Sequence, residues 1–423
     1  MASFSFGSGN AKKLLALPLY AAGRLLTWVV PRTRDEWVFG CAVGITDGAL
    51  ALWQQAAAAD TRAVWLVADE AQARDAAARG IPTLPKASLR GLWRTARARV
   101  VVLTHGFGDV NRYAVAGAFV VQLWHGIPLK RIGVDSPETV RSAILPSSAL
   151  VRGLLRAMYR SATRRIALLP AASHLVRGRL ESAFSLPDDR VPVLGEPRVD
   201  VLSRGDADER RARARAEIDR LTGALGEAHV ILYAPTWRDG DPDPAIPDGA
   251  DWEAVARMLA ARDAVLLVRS HPLGAGEYRP PAAEPRIRML GSDVVADVTP
   301  LLSGIDVLIT DYSSLMFDAS LVPVPVVFLA PDVAEYARRR GFYGTFGEVA
   351  GEDPATTWPA VVAQADAVLA DPDERRRRLA RARDLDARVH AFRDGRNAER
   401  VYRAIVEAIA PGTSPDRPEK ESR

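Results

Sequence analysis

The sequence predicts an α/β protein with two domains, each built on a parallel sheet, and three features of the chain support this. The chain has 423 residues, more than a single hydrophobic core usually holds. Short apolar runs alternate with helical stretches, a pattern typical of parallel strands flanked by helices. Residues 304–330 form the clearest strand–helix–strand unit, and its first strand is apolar enough to be buried on both faces.

Four apolar runs predict the strands of the first domain. They are Trp37–Cys41, Ala63–Val67, Arg99–Leu103 and Ala118–Leu123. The segments that follow the first two, residues 49–59 and 72–79, predict helices. Strands that alternate with helices run parallel, so we expect their carboxyl ends at one edge of the sheet.

The most unusual stretch of the first half, VQLWHGIPLKRIG, follows the fourth strand directly. His125 stands just past the carboxyl end of that strand, where open α/β sheets bind ligands. Gly126 comes next, and Lys130 and Arg131 follow within reach of an anion. An imidazole beside Trp124 and ahead of two cations indicates a functional histidine rather than a structural one.

Three loops of the second half also follow predicted strands. The strands are His229–Tyr233, Ala264–Val268 and Asp306–Thr310. Their loops carry, in chain order, Thr236, Trp237 and Arg238, then Arg269, Ser270 and His271, then Asp311, Ser313 and Ser314. In a parallel sheet these loops share one edge, so we expect them to lie together.

The serine pair begins a short predicted helix, Leu315–Leu321, and has two interpretations. Two hydroxyls, free backbone N–H groups and the positive end of a helix dipole suit a phosphate or diphosphate. Asp and Ser are also common caps wherever a helix starts, and the local pattern alone favours capping.

Composition restricts the classes of partner and site. The formal net charge is +4 and the pI about 9.3, but arginine is abundant along the whole chain, so we expect no nucleic-acid partner. Cys41 is the single cysteine, which excludes an intrachain disulfide and any cysteine-based zinc site and fits a reducing compartment. Neither a ligand cluster nor a DxD motif stands near the second-domain loops, so we expect no metal and no cofactor.

Two segments have the composition of membrane-surface helices. Leu14–Val30 is too short and polar to span a bilayer, and within residues 1–31 an interfacial helix and a packed first helix fit the periodicity equally well. Residues 145–165 predict a basic amphipathic helix that suits an anionic membrane surface, or a packed helix with solvated arginines. Its apolar stripe is Val151, Leu154, Leu155 and Met158, and its arginines are Arg152, Arg156, Arg160 and Arg164.

Six motifs in order resemble those of the CDP-glycerol glycerophosphotransferase family, the membrane-associated primases and polymerases of teichoic-acid-like polymers. They are WHGIPLKRIG, GEPRVD, YAPTWRD, RSHP, LITDYSSLMFD and FRDGRNAERV, spread over residues 37–409. The resemblance implies two Rossmann-like domains that face each other across a cleft, as in GT-B glycosyltransferases. We expect an acceptor-side domain at 32–222, a donor-binding domain at 223–410 and a disordered tail at 411–423.

The resemblance implies transfer of glycerol phosphate from CDP-glycerol, or another alditol phosphate from its CDP-alditol, to a hydroxyl of a lipid-linked acceptor, with release of CMP. The acceptor is a polyprenyl-diphosphate lipid or a glycolipid, and the enzyme is peripheral on the cytoplasmic face of the cell membrane. In the family the histidines of the WHG and HP motifs are both needed. These correspond to His125, as the base, and to His271, which would stabilise the departing CMP.

The same resemblance implies roles for the neighbouring residues. Donor-binding residues are Arg269, Ser270, Ser313 and Ser314 at the diphosphate, Thr236, Trp237, Arg238 and Asp311 around the nucleoside, and Arg396 near a phosphate. Acceptor-binding residues are Gly126, Lys130, Arg131 and Arg198. Four of these have structural alternatives: Trp237 as core, Asp311 as a cap, Arg198 paired with Asp200, and Arg396 as an exposed helix arginine.

The chain departs from the family pattern at a few positions. Ile127 stands where the WHG motif commonly has a small hydroxyl residue, and Glu196 and Val199 replace a neutral residue and Asn. The alternative classes are a sugar-nucleotide glycosyltransferase of the same architecture and a non-catalytic scaffold for polymer assembly.

Overall fold

Two parallel sheets organise the chain. The computed structural model describes residues 17–33, 35–140, 148–236, 238, 243–270 and 278–410. Every strand pair in both sheets is parallel, which confirms the predicted α/β class. The predicted tail at 411–423 and residues 1–16 lie outside the described residues.

The first sheet has six strands in the order β3-β2-β1-β4-β5-β6. The strands are β1 (Glu36–Phe39), β2 (Arg62–Val67), β3 (Thr83–Pro85), β4 (Val100–Leu103), β5 (Phe119–Gln122) and β6 (Ile166–Leu168). Its helices are α1 (Leu17–Val29), α2 (Asp47–Ala58), α3 (Glu70–Ala78), α4 (Leu89–Arg97), α5 (Ala149–Thr163) and α6 (His174–Phe184), and α7 (Ala207–Thr222) leads to the second sheet. Strands β1 and β4 are buried along their whole length, as apolar runs covered on both faces must be.

The second sheet has five strands in the order β11-β10-β7-β8-β9. The strands are β7 (His229–Ala234), β8 (Ala264–Val268), β9 (Ile287–Met289), β10 (Val307–Thr310) and β11 (Val326–Phe328). The helices are α8 (Gly249–Ala261), α9 (Leu315–Ser320), α10 (Val333–Arg339), α11 (Gly347–Ala350), α12 (Trp358–Ala370), α13 (Pro372–Val389) and α14 (Asn397–Ile409). Because β10, β7 and β8 are neighbours, the three loops predicted to share an edge do so.

The final helix, α14, returns to the first sheet. Val401 and Ile405 pack in the core of that sheet, and the Tyr402 ring lies 5.5 Å from the Trp37 ring. The Tyr402 hydroxyl is also 2.9 Å from the Thr61 hydroxyl. The sequence analysis placed this helix in a domain at 223–410, whereas its apolar face is buried against the sheet of the first half.

The turn GEPRVD fixes the start of that helix. The Asp200 carboxylate accepts the backbone N–H of Asn397 at 2.9 Å and of Ala398 at 2.8 Å, which satisfies two donors at the helix start. Gly195 has φ +80°, and a Cβ there would lie 2.0 Å from the Asn397 side-chain oxygen. The GEPRVD turn and the GRN segment of FRDGRNAERV therefore contact each other in the folded protein.

Helix α5 presents two different faces. Leu155, Tyr159 and Thr163 are buried, whereas Leu150, Leu154 and Met158 are exposed. The sequence analysis grouped Leu154, Leu155 and Met158 in one apolar stripe, but the structure divides that stripe between the core and the surface. Residues 145–147, the predicted start of the helix, lie outside the described residues.

Candidate active site

The carboxyl edges of the two sheets face each other across a cleft that holds two cavities. The smaller, about 260 Å³, is lined by His125 and Arg198 from the first half and by Arg269, Ser270, Ser313, Ser314 and Asp318 from the second. The larger, about 570 Å³, is lined by residues of both halves that include Asp47, Arg79, Arg204 and Arg213. The two cavities share Arg198, Ala296 and Asp297, so they adjoin.

His125 is held by an irregular turn at the end of β5. Trp124 has φ +64°, an unusual value for a bulky residue that often marks a functional site, and Gly126 has φ +130°. The His125 ring lies 4.1 Å from the Trp124 ring and is stacked on the ring of His105 at 4.5 Å, with an angle of 7° between the two planes. Its Nδ1 lies 3.4 Å from the Thr104 carbonyl oxygen, which can only accept. The proton therefore sits on Nδ1, and Nε2 carries the lone pair.

The surroundings of His125 keep it neutral. Burial lowers its pKa well below the ordinary value, and the neighbouring His105 lowers it further. The bond from Nδ1 to the Thr104 carbonyl opposes this shift without reversing it. A neutral imidazole at the edge of a cavity can accept a proton from a bound hydroxyl.

The serine pair faces His125 across the cleft. A Cβ on Gly126 would lie 3.0 Å from the Ser314 Oγ and 3.3 Å from an Arg198 nitrogen, so glycine permits this close approach. The Ser314 side chain makes no capping hydrogen bond, while the Ser313 Oγ accepts the Leu315 N–H at 3.3 Å. Helix α9, which they precede, has six residues, so the hydroxyls matter more here than the helix dipole.

The loop after β8 supplies a fixed cation and an unused hydroxyl. The Arg269 guanidinium donates to the carbonyls of Leu290, Val295 and Ala296 and thereby holds the opposite wall of the smaller cavity. The Ser270 Oγ and the Thr236 Oγ1 are buried and have no hydrogen-bond partner among the described residues. His271 and Trp237, both predicted here, lie outside the described residues.

Arg238 and Asp311 belong to a buried ion-pair network behind the cavity. Arg238 Nη1 donates to Asp311 Oδ2 and to the Thr236 carbonyl, each at 2.7 Å, and Arg238 Nε donates to Asp332 at 3.1 Å. The other Asp311 oxygen accepts the Thr236 N–H at 2.9 Å and the Tyr312 N–H at 2.6 Å. Every polar atom of both side chains has a protein partner, so their predicted contact with donor stays a prediction.

Arg198 lies between the two halves, at the boundary of the cavities. Its guanidinium forms an ion pair with Asp318, lies 3.9 Å from Glu196 and lies 3.5 Å from the Thr299 hydroxyl. Burial by itself lowers the pKa of Arg198, but these carboxylates and Asp47 raise it well above the ordinary value. Burial in turn raises the pKa of Asp318 and raises that of Glu196 to about 7. The alternative pairing of Arg198 with Asp200 is not formed, because Asp200 caps α14.

The remaining predicted cations lie away from the smaller cavity. Lys130 forms a backbone bridge with Phe342, and the Arg131 N–H donates to the Gly341 carbonyl at 3.0 Å, so this segment joins the two halves. Arg396 is exposed, and its Nε donates to Glu399 at 2.6 Å. Roles for these three residues in substrate binding stay predictions.

Sequence analysis missed His105 and the groups that hold it. The Asp109 carboxylate accepts the N–H groups of Thr104, His105 and Gly106 at 2.9, 2.7 and 3.2 Å, which fixes this loop. His105 follows β4 as His125 follows β5, so the strand-end argument that identified His125 applied equally to it.

Two parallel sheets with facing carboxyl edges define a GT-B-like fold, and a neutral histidine opposite hydroxyls in the cleft marks its candidate active site. The family model described as CDP-Glycerol:Poly(glycerophosphate) glycerophosphotransferase matches residues 25–407, and the chain belongs to this family. The resemblance found in the sequence is thereby confirmed.

Relatives and solved structures agree with this family. A teichoic acid poly(glycerol phosphate) polymerase of Staphylococcus epidermidis is 31% identical over 241 residues, which are 54% of this chain and 31% of the relative. A teichoic acid glycerol-phosphate transferase of Staphylococcus aureus is 28% identical over 276 residues, 62% of this chain and 65% of the relative. This chain thus spans 31% and 65% of the lengths of these two relatives. The structure of the wall teichoic acid polymerase TagF has the same fold, with a TM-score of 0.74, 20% identity, and coverage of 94% of this chain and 96% of that chain.

The substitution Arg198→Ala is expected to lower the free energy of unfolding by ~3–5 kcal/mol, because it leaves Asp318 and Glu196 buried without a counter-ion. Urea unfolding of the variant and wild type at about pH 8 measures this loss. The matched control is Arg257→Ala, which removes an exposed pair with Glu253 and should cost ~0–1 kcal/mol.

The difference in the free energy of unfolding between wild type and Arg198→Ala should depend on pH. The pKa of Glu196 is higher in the folded chain than in the unfolded chain. Its contribution to the free energy of unfolding therefore falls as the pH rises from the ordinary pKa of a glutamate to about 7. Without Arg198 this penalty grows, and the deficit of Arg198→Ala should therefore shrink when the pH is lowered from about 8 to about 6. A deficit that matches that of Arg257→Ala at both pH values would contradict this account.

Proposed function

We propose that this chain transfers glycerol phosphate from CDP-glycerol, or an alditol phosphate from a related CDP-alditol, to a hydroxyl of a lipid-linked acceptor and releases CMP. Membership of the family and the names of its teichoic acid relatives support this reaction class. The observation that carries the proposal is His125, a neutral imidazole that lies across a cleft from two serines and from a buried hydroxyl that has no partner among the described residues.

In the proposed reaction, the acceptor oxygen attacks the phosphorus that bears glycerol. The acceptor proton passes to Nε2 of His125, and the bond from phosphorus to the bridging oxygen breaks, so CMP leaves with that electron pair. A positioned base contributes ~10²- to 10⁴-fold in rate, and fixed orientation of the two substrates contributes further. Charge that develops on the diphosphate is met by hydroxyl donors and fixed cations.

The polar groups of the smaller cavity suit the donor diphosphate. Ser270, Ser313 and Ser314 present hydroxyls to this cavity, and Arg269 lines its wall. Thr236 adds a buried hydroxyl at the end of β7, close to the same edge. We also assign His271 to this site, on the resemblance alone, as the group that stabilises the departing CMP.

We place the acceptor in the larger cavity. Arg79, Arg204 and Arg213 line it together with Asp47, Asp75, Asp200 and Asp297, so the cavity offers guanidiniums that could bind phosphate, and its apolar wall includes Ile45 and Leu50. The cavity adjoins the site of His125 through Arg198, so an acceptor hydroxyl has a short path to the donor phosphorus.

We further propose that the protein binds the cytoplasmic face of the membrane through helices of its first half. Among the described residues, no helix has the length and apolar character needed to cross a bilayer. Three helices of the first half instead carry groups of exposed apolar side chains: Leu25, Trp28 and Val29 on α1, Leu89 and Trp93 on α4, and Leu150, Leu154 and Met158 on α5. Arginines neighbour them in α4 and α5, a combination that suits an anionic interface.

Helix α1 has a packed side and an exposed side, which fit the packed and the interfacial interpretation of its sequence respectively. Gly23 is packed against the backbone of Tyr113, and the Tyr20 ring meets the Tyr113 ring at 4.9 Å. Trp28 is 83% exposed on the same helix. One side of the helix is thus packed on its own domain, and the other is available for an interface.

The substitution His125→Gln should lower acceptor-dependent CMP release from CDP-glycerol by at least ~100-fold, because glutamine cannot accept the proton. CMP release is measured with a lipid-linked glycerol-phosphate acceptor, from CDP-glycerol and, in a separate assay, from CDP-ribitol. His174→Gln is the matched control, since His174 is exposed at the start of α6, and should retain wild-type activity. Wild-type protein that releases CMP from neither donor, but uses a nucleotide sugar, would refute the proposal.

Replacing Leu150, Leu154 and Met158 together with serine should weaken binding to phosphatidylglycerol-containing vesicles by at least ~10-fold, because three apolar side chains no longer enter the interface. Co-sedimentation with the vesicles measures the partition. The control Leu175→Ser/Val406→Ser removes exposed apolar side chains elsewhere and should bind as wild type does. Equal partition of all three proteins would show that α5 is not a membrane contact.

A further inference from the structure

Three side chains of different ligand types meet beside His125. Cys41 follows β1, Asp47 begins α2, and His105 follows β4. Strands β1 and β4 are parallel neighbours, so their carboxyl ends bring the thiol and the imidazole together. One ligand atom from each of the three residues lies within 4.8 Å of the others.

The spacing of the sulfur and the imidazole nitrogen is close to that of a tetrahedral zinc site. The Cys41 Sγ lies 3.9 Å from the His105 Nδ1. Zinc–sulfur bonds of about 2.3 Å and zinc–nitrogen bonds of about 2.0–2.1 Å, at a tetrahedral angle, place sulfur and nitrogen roughly 3.6 Å apart. A movement of a few tenths of an ångström would therefore bring this pair to that spacing, and the Asp47 carboxylate, within 4.8 Å of both, would close on the ion from the start of α2.

The imidazole of this cluster is held in place before any ion binds. Asp109 fixes the backbone of residues 104–106, and the Thr104 hydroxyl lies 2.9 Å from the His105 Nδ1. The same hydroxyl lies 3.3 Å from Asp109, so it has another partner if the nitrogen binds a metal. Metal binding would thus displace this hydroxyl from Nδ1, while the Asp109 bonds to the backbone keep the imidazole in position.

The charge around the cluster also favours a cation. Asp47, Glu196 and Asp318 surround the guanidinium of Arg198, so three carboxylates share this buried cation. A bound dication would compensate buried carboxylate charge at this position.

We propose that Cys41, Asp47 and His105 bind a zinc(II) ion whose fourth position opens toward the larger cavity, which Asp47 lines. A thiolate with an imidazole and a carboxylate selects zinc over magnesium or calcium, which prefer oxygen ligands alone. Three protein ligands and one open position are typical of zinc sites that contact substrate. This proposal departs from the two expectations drawn from the sequence, that a single cysteine excludes any cysteine-based zinc site and that the chain binds no metal. The site does not depend on the reaction proposed above.

Cobalt(II) titration of the full-length protein, stripped of metal with a chelator, tests the site directly. We expect one equivalent to produce a thiolate-to-cobalt charge-transfer band and tetrahedral visible bands, and zinc to displace them. Because Cys41 is the only cysteine, the charge-transfer band reports on this residue alone. Zinc should also raise the Tm of wild-type protein, since a ligand that binds the folded chain stabilises it.

Three variants separate a built site from adventitious binding. Asp47→Asn and His105→Gln should each weaken cobalt affinity by at least ~10-fold, and Cys41→Ser should remove the charge-transfer band. His174→Gln is the control and should bind as wild type does. Absence of the band and of a Tm shift in folded wild-type protein would overturn the proposal. So would a band of unchanged affinity in Asp47→Asn and His105→Gln, because it would show binding by Cys41 alone.

Discussion

The buried ion pair between Arg198 and Asp318 is the constraint on which the cleft depends. Arg198 belongs to the GEPRVD turn of the first half, and Asp318 belongs to α9, the helix that carries the serine pair. A buried charge is tolerated only when it is paired, so the two halves must meet at this point. That meeting brings Ser314 close to the residue after His125, because a Cβ on Gly126 would lie 3.0 Å from the Ser314 Oγ.

The carboxyl edges of the sheets could be predicted from sequence, because strand and helix periodicity are local properties. All seven strands named in the sequence analysis are present, and the loops after β5, β7, β8 and β10 meet in the cleft. Strands β3 and β6 have three residues each and are too short to give a periodic signal. The position of His125 at the carboxyl edge of the first sheet could be predicted because this residue comes just after a predicted strand.

Contacts between distant segments could not be predicted in this way. Arg238 and Asp311 are separated by more than seventy residues and bind each other, so the motif cation predicted to contact donor is already neutralised. Asp200 caps α14 across nearly two hundred residues, and that contact accounts for two motifs together. A motif shows which residues matter, but only the packing shows whether a side chain holds the fold or faces the cavity.

The polar groups that have no hydrogen-bond partner among the described residues determine what the cleft can bind. The guanidiniums of Arg238 and Arg269 already donate to protein oxygens, whereas the hydroxyls of Ser270 and Thr236 have no described partner. A buried hydroxyl without a partner costs ~1–3 kcal/mol, and a ligand rich in acceptor oxygens removes that cost. A diphosphate is such a ligand. In the proposed reaction, neutral donors would contact the diphosphate and fixed cations would lie one layer behind them, while His125 would start uncharged and take the acceptor proton.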